Sequence, residues 1–323
     1  MLQRLKEYFI SPSKITDYKP VKHTFFRDNN VTDQLHEVGY YVADFLGEKE
    51  RLLLLELYEK NHDLKDNRGG AFFGIFSKDI TYRNKIHDSI NQILDTCFNR
   101  WFKNFKSAVN TFVIKVPGAS GQVPIHQDGA AIDELEYSSI NIWIPLQEIN
   151  ETNSALHIIP RSHHIFLPYR CATVEPIQKN IDNELYRYFK PIYLKLGQVL
   201  FFDSRMFHYS PPNLSEHNRV IVVCRICPIE ADIVAYYKES GNPKSSVEMW
   251  RCPDDYLIYS DGYNDNLRPE GCELITCKKI GNASLTVEEF ERRRIELGIS
   301  PNGEPMIPKQ TERNFIQEPL SNL

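Results

Sequence analysis

The sequence predicts a mainly β fold with flanking helices, and three observations lead there. Between about Asn110 and Pro228, six short runs rich in β-branched and aromatic residues follow one another: TFVIKV, SSINIWIPL, ALHIIP, IYLKL, QVLFFD and RVIVVCRIC. Gly, Pro, Asn and Ser punctuate the gaps between them, the pattern of short antiparallel strands in a sandwich or barrel. Upstream of this region the apolar residues recur instead at helical spacing.

The first third, residues 1–109, reads as mainly helical. EKERLLLLELYEKNHD from Glu48 has the length and charged flanks of a helix. The segment KDITYRNKIHDSINQILDTCFNRWF from Lys78 places Ile86, Ile90, Ile93, Leu94 and Phe98 near one helical face. Residues 110–228 form the β core, interrupted by a long insertion over 161–190. Insertions of that length are often lids or substrate-contacting segments. Residues 229–323 read as a C-terminal extension wrapped on the same single domain. It holds turn-rich stretches (SGNPKSS, YSDGYNDN), one helix in LTVEEFERRRIELGI with Thr286 and Glu289 as a capping box, and an extended stretch, PNGEPMIPKQ. No internal repeat is visible.

Composition narrows the function classes. The formal net charge of the 323 residues is -5 and no long basic run occurs, which argues against nucleic acid as a partner. The apolar runs, such as Leu52 to Leu55, are far too short to cross a bilayer. The opening MLQRLKEYFISPSK lacks the apolar core of a signal peptide. Seven cysteines at irregular spacing do not make a disulfide framework, and a reducing cytoplasm fits them. Cys224 and Cys227 form a CxxC inside a strand-like run. Strand residues three apart point to opposite faces, so these thiols are not expected to converge on one metal.

The chemistry-bearing residues lie in two stretches. IHQD places His126 and Asp128 two residues apart, on one face if the segment is a strand. A surface turn is the alternative, because Gly129 follows. Downstream, LKLGQVLFFDSRMFHYSPPNLSEHNRVIVVCRI supplies His208 at the end of a strand, Ser210 two residues on, and Arg219 opening the next strand. Two imidazoles and one carboxylate on one side of an ion leave the other positions open. That is the facial triad of non-haem iron(II) centres that bind a co-substrate and dioxygen together.

Taken together these residues resemble the phytanoyl-CoA dioxygenase family of 2-oxoglutarate oxygenases. The family pattern is a His-x-Asp, a Pro-Gly-Ser-His stretch, a Gly-led strand ending in His, a Ser two residues later and an Arg eleven later. Here these are His126 and Asp128, PRSH from Pro160 to His163, Gly197, His208, Ser210 and Arg219. The resemblance covers about residues 110 to 228. Two positions depart from it: Ser154 and Arg161 stand where the family commonly has Gly, which puts loop shape rather than metal chemistry in question. Asp128 is intact, so the resemblance implies hydroxylation rather than halogenation.

The resemblance further implies a double-stranded β-helix (jelly-roll, cupin-like) core. It implies Fe(II) on His126, Asp128 and His208, with 2-oxoglutarate and O2 as co-substrates. Arg219 and Ser210 are implied to hold the distal carboxylate of 2-oxoglutarate, since a guanidinium offers carboxylate a planar fork. The expected substrate is a small or carrier-bound organic molecule of natural-product or amino-acid metabolism. Lys115, on the strand leading toward His126, either reaches the co-substrate or is solvated. On INIWIPL, Asn141 and Trp143 share one face and Ile140, Ile142 and Ile144 the other, so Asn141 and Trp143 are candidate substrate residues. Arg225 has the parity of Arg219 and is expected to point inward, toward an anionic substrate group or into an ion pair. Two rivals stay open: a non-catalytic ligand-binding protein on the same barrel, and a cupin-type metalloenzyme of another class.

Overall fold

The structure, a computed structural model, describes residues 18–62, 69–239, 242, 246–260, 267–279 and 284–303. The N-terminal segment, most of the turn-rich stretches and the extended stretch after Gly303 lie outside these residues. The chain begins with α1 (Asn29–Val38), β1 (Tyr40–Asp44), α2 (Glu48–Asn61), β2 (Ala71–Phe73) and α3 (Ile80–Trp101). Eight strands follow: β3 (Phe105–Lys115), β4 (Val123–His126), β5 (Ile140–Pro145), β6 (Leu156–Ile158), β7 (Lys190–Ile192), β8 (Gln198–Asp203), β9 (His208–Ser210) and β10 (Arg219–Pro228). One short helix, α4 (Asp182–Leu185), sits in the insertion. The extension supplies β11 (Ile233–Lys238), β12 (Val247–Cys252), α5 (Tyr256–Tyr259), β13 (Glu273–Lys278) and α6 (Val287–Leu297).

A six-stranded sheet in the order β1-β8-β5-β10-β3-β2 faces a four-stranded sheet in the order β4-β9-β6-β7, and β11-β12-β13 form a third. The pairings within them are antiparallel. This is a jelly-roll sandwich open at its edges rather than a closed barrel. Trp143, Leu156, Ile158, Ile192, Leu200, Phe202 and Ile221 from the two facing sheets pack into one cluster between them. The other face of the large sheet packs on the helices. Ile140, Ile142 and Ile144 of β5 meet Ile86, Ile90, Leu94 and Phe98 of α3 there. β5 is therefore buried on both faces, and its run is continuously apolar but for Asn141.

Local chemistry sets the element ends. Asp79 caps α3 by accepting a hydrogen bond from Tyr82 N at 3.0 Å, an interaction worth about 1 kcal/mol. Thr286 caps α6 through Glu289 N at 3.1 Å, as its sequence motif indicates. Cys224 packs in the cluster beneath the helices and Cys227 in a separate one near β11, so the CxxC thiols do diverge. Among the described residues, no helix is long and apolar enough to cross a membrane.

Two expectations need correction and one an addition. The first third, expected to be mainly helical, also holds two edge strands: β1 pairs with β8 and β2 with β3. Both are too short for alternation to show in the sequence. IYLKL forms strand only in part. β7 ends at Ile192, and Leu194 makes an isolated bridge to Ile149. His208 does not end the QVLFFD strand but opens β9, after a turn over 204–207 that crosses from the large sheet to the small one.

Candidate metal centre and co-substrate site

β4 and β9 pair in the small sheet with His126 directly opposite His208, and their ring centroids are 4.1 Å apart. Asp128 lies two residues past the end of β4, so strand parity carries only as far as His126. What returns the carboxylate to the imidazoles is a held loop. Asp128 N donates to Ser204 O at 3.1 Å. Arg170 Nε, from the insertion, donates to Asp128 O at 2.7 Å. Arg170 is itself fixed by a buried, two-pronged pair with Glu134 at 2.7 and 2.8 Å.

The three side chains converge with open lone pairs. His126 Nδ1 lies 2.8 Å from Pro124 O and His208 Nδ1 lies 3.0 Å from Met206 O. Both Nδ1 atoms must donate to those carbonyls, so in the neutral tautomer the lone pair is on Nε2, aimed at Asp128 Oδ1, 3.7 and 3.8 Å away. Those distances are too long for hydrogen bonds. The three donor atoms lie within 4.8 Å of one another, and a divalent cation is the species that satisfies them all. Burial, and then the neighbouring His126, push the His208 pKa down to about 4, so its lone pair is free at neutral pH. Burial opposes ionisation of Asp128, but His208, Arg225, His126 and the Asn141 amide outweigh it and bring the carboxyl down to about 2. Arg225 is the permanent positive charge among these neighbours. Two neutral nitrogens and one carboxylate with positions left open fit iron(II).

His126, Asp128 and His208 line one cavity of about 1050 Å³, together with Asn141, Trp143, Ser210, Arg219 and Arg225. Arg219 opens β10 and is 2% exposed. Its Nη1 donates to Ser154 O at 2.6 Å and Ser154 Oγ at 3.2 Å, and its guanidinium sits 5.4 Å from the Trp143 ring centroid. Its Nε has no partner. Among the described residues no carboxylate lies within salt-bridge distance of it. Burial lowers its pKa to about 9, which leaves it charged at neutral pH. A buried cation without a counterion is costly, and the arrangement is understandable if an anion enters the cavity.

Lys115, opposite Arg219 in the β3–β10 register, does not line the cavity but lies behind its wall. Its amine nitrogen lies 2.6 Å from Ser210 Oγ, 2.7 Å from Pro211 O and 3.0 Å from Ser210 O. Two of these contacts hold Ser210, whose hydroxyl accepts from the lysine and remains free to donate to a ligand. Burial, and then the charge of Arg219, lower the Lys115 pKa to about 6. Without an anion the amine is therefore largely neutral at pH 7.5, whereas a carboxylate arriving at Arg219 and Ser210 favours the ammonium. 2-Oxoglutarate binding above pH 6 is expected to take up as much as about one proton, and affinity to fall as pH rises. Calorimetry at pH 7.5 in phosphate and in Tris measures this uptake; identical enthalpies in the two buffers would contradict it.

Arg225 and Asn141, the candidate substrate residues, both line the cavity and both engage Asp128. Arg225 Nη2 pairs with Asp128 Oδ2 at 3.2 Å, and Asn141 Nδ2 donates to the same oxygen. Strand parity places both on the cavity side, but the nearest carboxylate there belongs to the chain itself. Trp143 lines the cavity beside Arg219. Sequence reasoning missed Arg170, Glu134 and Ser154. The first two carry no motif. Ser154 was visible only as a departure from Gly, and it and Arg161 both adopt positive φ (65° and 69°). That conformation explains Gly at these positions in relatives and costs other residues about 1 kcal/mol or more. Here Ser154 supplies both acceptors of Arg219, and Arg161 is held by Leu297 O and Glu37.

Fold and site together define a jelly-roll protein with a two-histidine, one-carboxylate metal centre. The profile of the phytanoyl-CoA dioxygenase (PhyH) family matches residues 46–221, more than half of the chain. The chain belongs to that family. A stretch of 112 residues is 30% identical to phytanoyl-CoA dioxygenase 1 of Oryza sativa subsp. japonica, covering 33% of this chain and 40% of that protein. The phytanoyl-CoA dioxygenase domain-containing protein 1 homolog of Dictyostelium discoideum is 24% identical over 54% of this chain and 61% of its own length. Phytanoyl-CoA dioxygenase of Arabidopsis thaliana is 22% identical over 68% of this chain and 75% of its own. The chain thus spans less than two thirds of the first two. Similar solved structures include EvdO2 from Micromonospora carbonacea var. aurantiaca complexed with 2-oxoglutarate. It is 16% identical with a TM-score of 0.44, over 67% of this chain and 96% of that one. The epimerase SnoN, in complex with Fe3+, alpha ketoglutarate and nogalamycin RO, is 14% identical with a TM-score of 0.48, over 81% and 96%.

Proposed function

We propose that the chain is an Fe(II)/2-oxoglutarate-dependent dioxygenase that hydroxylates an unactivated C–H bond of a small or carrier-bound organic substrate. The observation that carries this reading is Arg219: a buried guanidinium with no carboxylate partner among the described residues, facing the same cavity as the metal triad. A metal-binding jelly roll of another class has no use for an unpaired buried cation there. A keto-diacid that chelates the metal at one end needs one at the other.

The residues divide the work. His126, Asp128 and His208 hold the iron on one side and leave the cavity side open. Bound iron supplies the activation of dioxygen, coupled to conversion of 2-oxoglutarate into succinate and carbon dioxide. Arg219 and Ser210 fix the distal carboxylate of the co-substrate, Lys115 and Ser154 fix those two residues in turn, and Trp143 shields the guanidinium from water. Positioning and water exclusion are the protein's contribution.

The rest of the cavity suits a substrate with a sizeable apolar portion. Phe73, Ile75 and Val109 line it from β2, the turn after it and β3, Leu167 and Ile177 from the insertion, and Leu257 from the extension. Insertion and extension therefore both shape the mouth. The reading is tested by succinate release from iron-loaded protein across apolar carboxylic acids, acyl thioesters, amino acids and polycyclic alcohols. The expected result is turnover that requires both iron and 2-oxoglutarate and rises with one substrate class. Succinate formation indistinguishable from protein-free controls would favour the ligand-binding rival.

A further inference from the structure

Arg225 lines the cavity, and its guanidinium is anchored to the chain itself. Each guanidinium nitrogen already has a protein partner: Nη1 donates to Gly129 O at 2.8 Å, Nε to Asn141 Oδ1 at 3.2 Å, and Nη2 pairs with Asp128 Oδ2 at 3.2 Å. Asn141 stands directly across from it in the β10–β5 register. The amide accepts from Arg225 through Oδ1 and donates through Nδ2 to Asp128 Oδ2, so its orientation is fixed at both ends. Asp128 Oδ2 thus receives two donors from the large sheet. Asp128 Oδ1, free of donors, faces both imidazole Nε2 atoms.

Resting on the reading of the triad as a metal centre, we infer that Arg225 and Asn141 are positioning residues that hold Asp128 as a one-oxygen metal ligand. They do so by occupying its second oxygen. Asp128 needs such help because it stands in a loop beyond β4, whereas the two histidines are set by strand pairing. The link also ties the large sheet to a metal site otherwise built on the small one. Without it the carboxylate is free to rotate, to chelate through both oxygens or to swing out of the site. Groups that hold a metal ligand from behind typically contribute about 10–100-fold in metal affinity.

Anaerobic titration of the metal-free full chain with cobalt(II) alone, followed by calorimetry and visible absorption, tests this. Arg225→Met is expected to weaken cobalt binding by about 10–100-fold, with a changed intensity of the cobalt bands as the carboxylate alters its coordination. Asn141→Ala is expected to shift both in the same direction by less. Arg225→Lys, which keeps the charge but not the fork, is expected to fall between wild type and Arg225→Met. Affinity for 2-oxoglutarate at saturating cobalt is expected to stay within about threefold of wild type, because Arg219 and Ser210 are untouched. If Arg225→Met fails to fold, Asn141→Ala and Arg225→Lys carry the comparison. Unchanged cobalt affinity and spectra in the folded variants would overturn the inference. Wild-type protein that binds no cobalt at all would instead remove the metal-centre reading beneath it.

Discussion

Replacing Arg219 with methionine is expected to weaken 2-oxoglutarate binding by about a hundredfold or more, the equivalent of roughly 3 kcal/mol, while making the ligand-free protein more stable. The two effects have one cause. Arg219 is nearly fully buried and, among the described residues, its Nε is unpartnered and its hydrogen bonds go to Ser154 alone. A guanidinium so placed is a liability until an anion arrives. An isosteric apolar side chain packed against Trp143 removes that cost and is expected to raise stability by about 1–4 kcal/mol. Ligand-free denaturation curves and calorimetric titration of 2-oxoglutarate into cobalt-loaded protein give the two numbers. A variant that lost stability and kept its affinity would show Arg219 to be a structural residue.

The second large effect belongs to His208. Its imidazole is buried, donates only through Nδ1 to Met206 O, and presents Nε2 to a space shared with His126 and Asp128. His208→Ala removes one of three ligands and is expected to lower cobalt(II) or iron(II) affinity by more than about a hundredfold, beyond the loss typical of an outer partner. Succinate formation is expected to vanish with it. The metal-free fold is expected to lose only the packing of one ring and the Nδ1 hydrogen bond to Met206 O, because Nε2 makes no hydrogen bond among the described residues. Metal titration beside a thermal melt of the same metal-free preparation separates these effects. Retained metal affinity would mean that the three donor atoms do not act on one ion.

How much of this was legible depended on whether a residue's role was set by local pattern or by distant chain. His126, His208, Ser210 and Arg219 could be found because their spacing along strands and turns is rigid, and resemblance turned that spacing into roles. The alternation of β5 and β10 groups Asn141 with Trp143 and Arg219 with Arg225, because strand parity is a local property, and all four line the cavity. Parity could not say what stood opposite. Arg225 looks toward the cavity and meets Asp128, a residue 97 positions upstream in a loop. Arg170 and Glu134 are invisible to pattern for the same reason: their pairing exists only once the insertion folds over the loop after β4. Strands β1 and β2 escaped notice because a few residues at a sheet edge draw their order from the neighbouring strand rather than from their own sequence. The two departures from Gly, at Ser154 and Arg161, were read as loop shape. Ser154 proves also to hold the guanidinium of Arg219.

All of these roles depend on the proposal that one cavity takes a ferrous ion and a keto-diacid side by side. Anaerobic addition of iron(II) to the metal-free protein, followed by 2-oxoglutarate, observes that pairing through visible absorption. A weak charge-transfer band that needs both components, saturates at about one equivalent of iron and is absent in Arg219→Met at the same 2-oxoglutarate concentration is the expected result. No band in the wild-type protein at any concentration of the two, with iron binding unaffected by the keto acid, would contradict it.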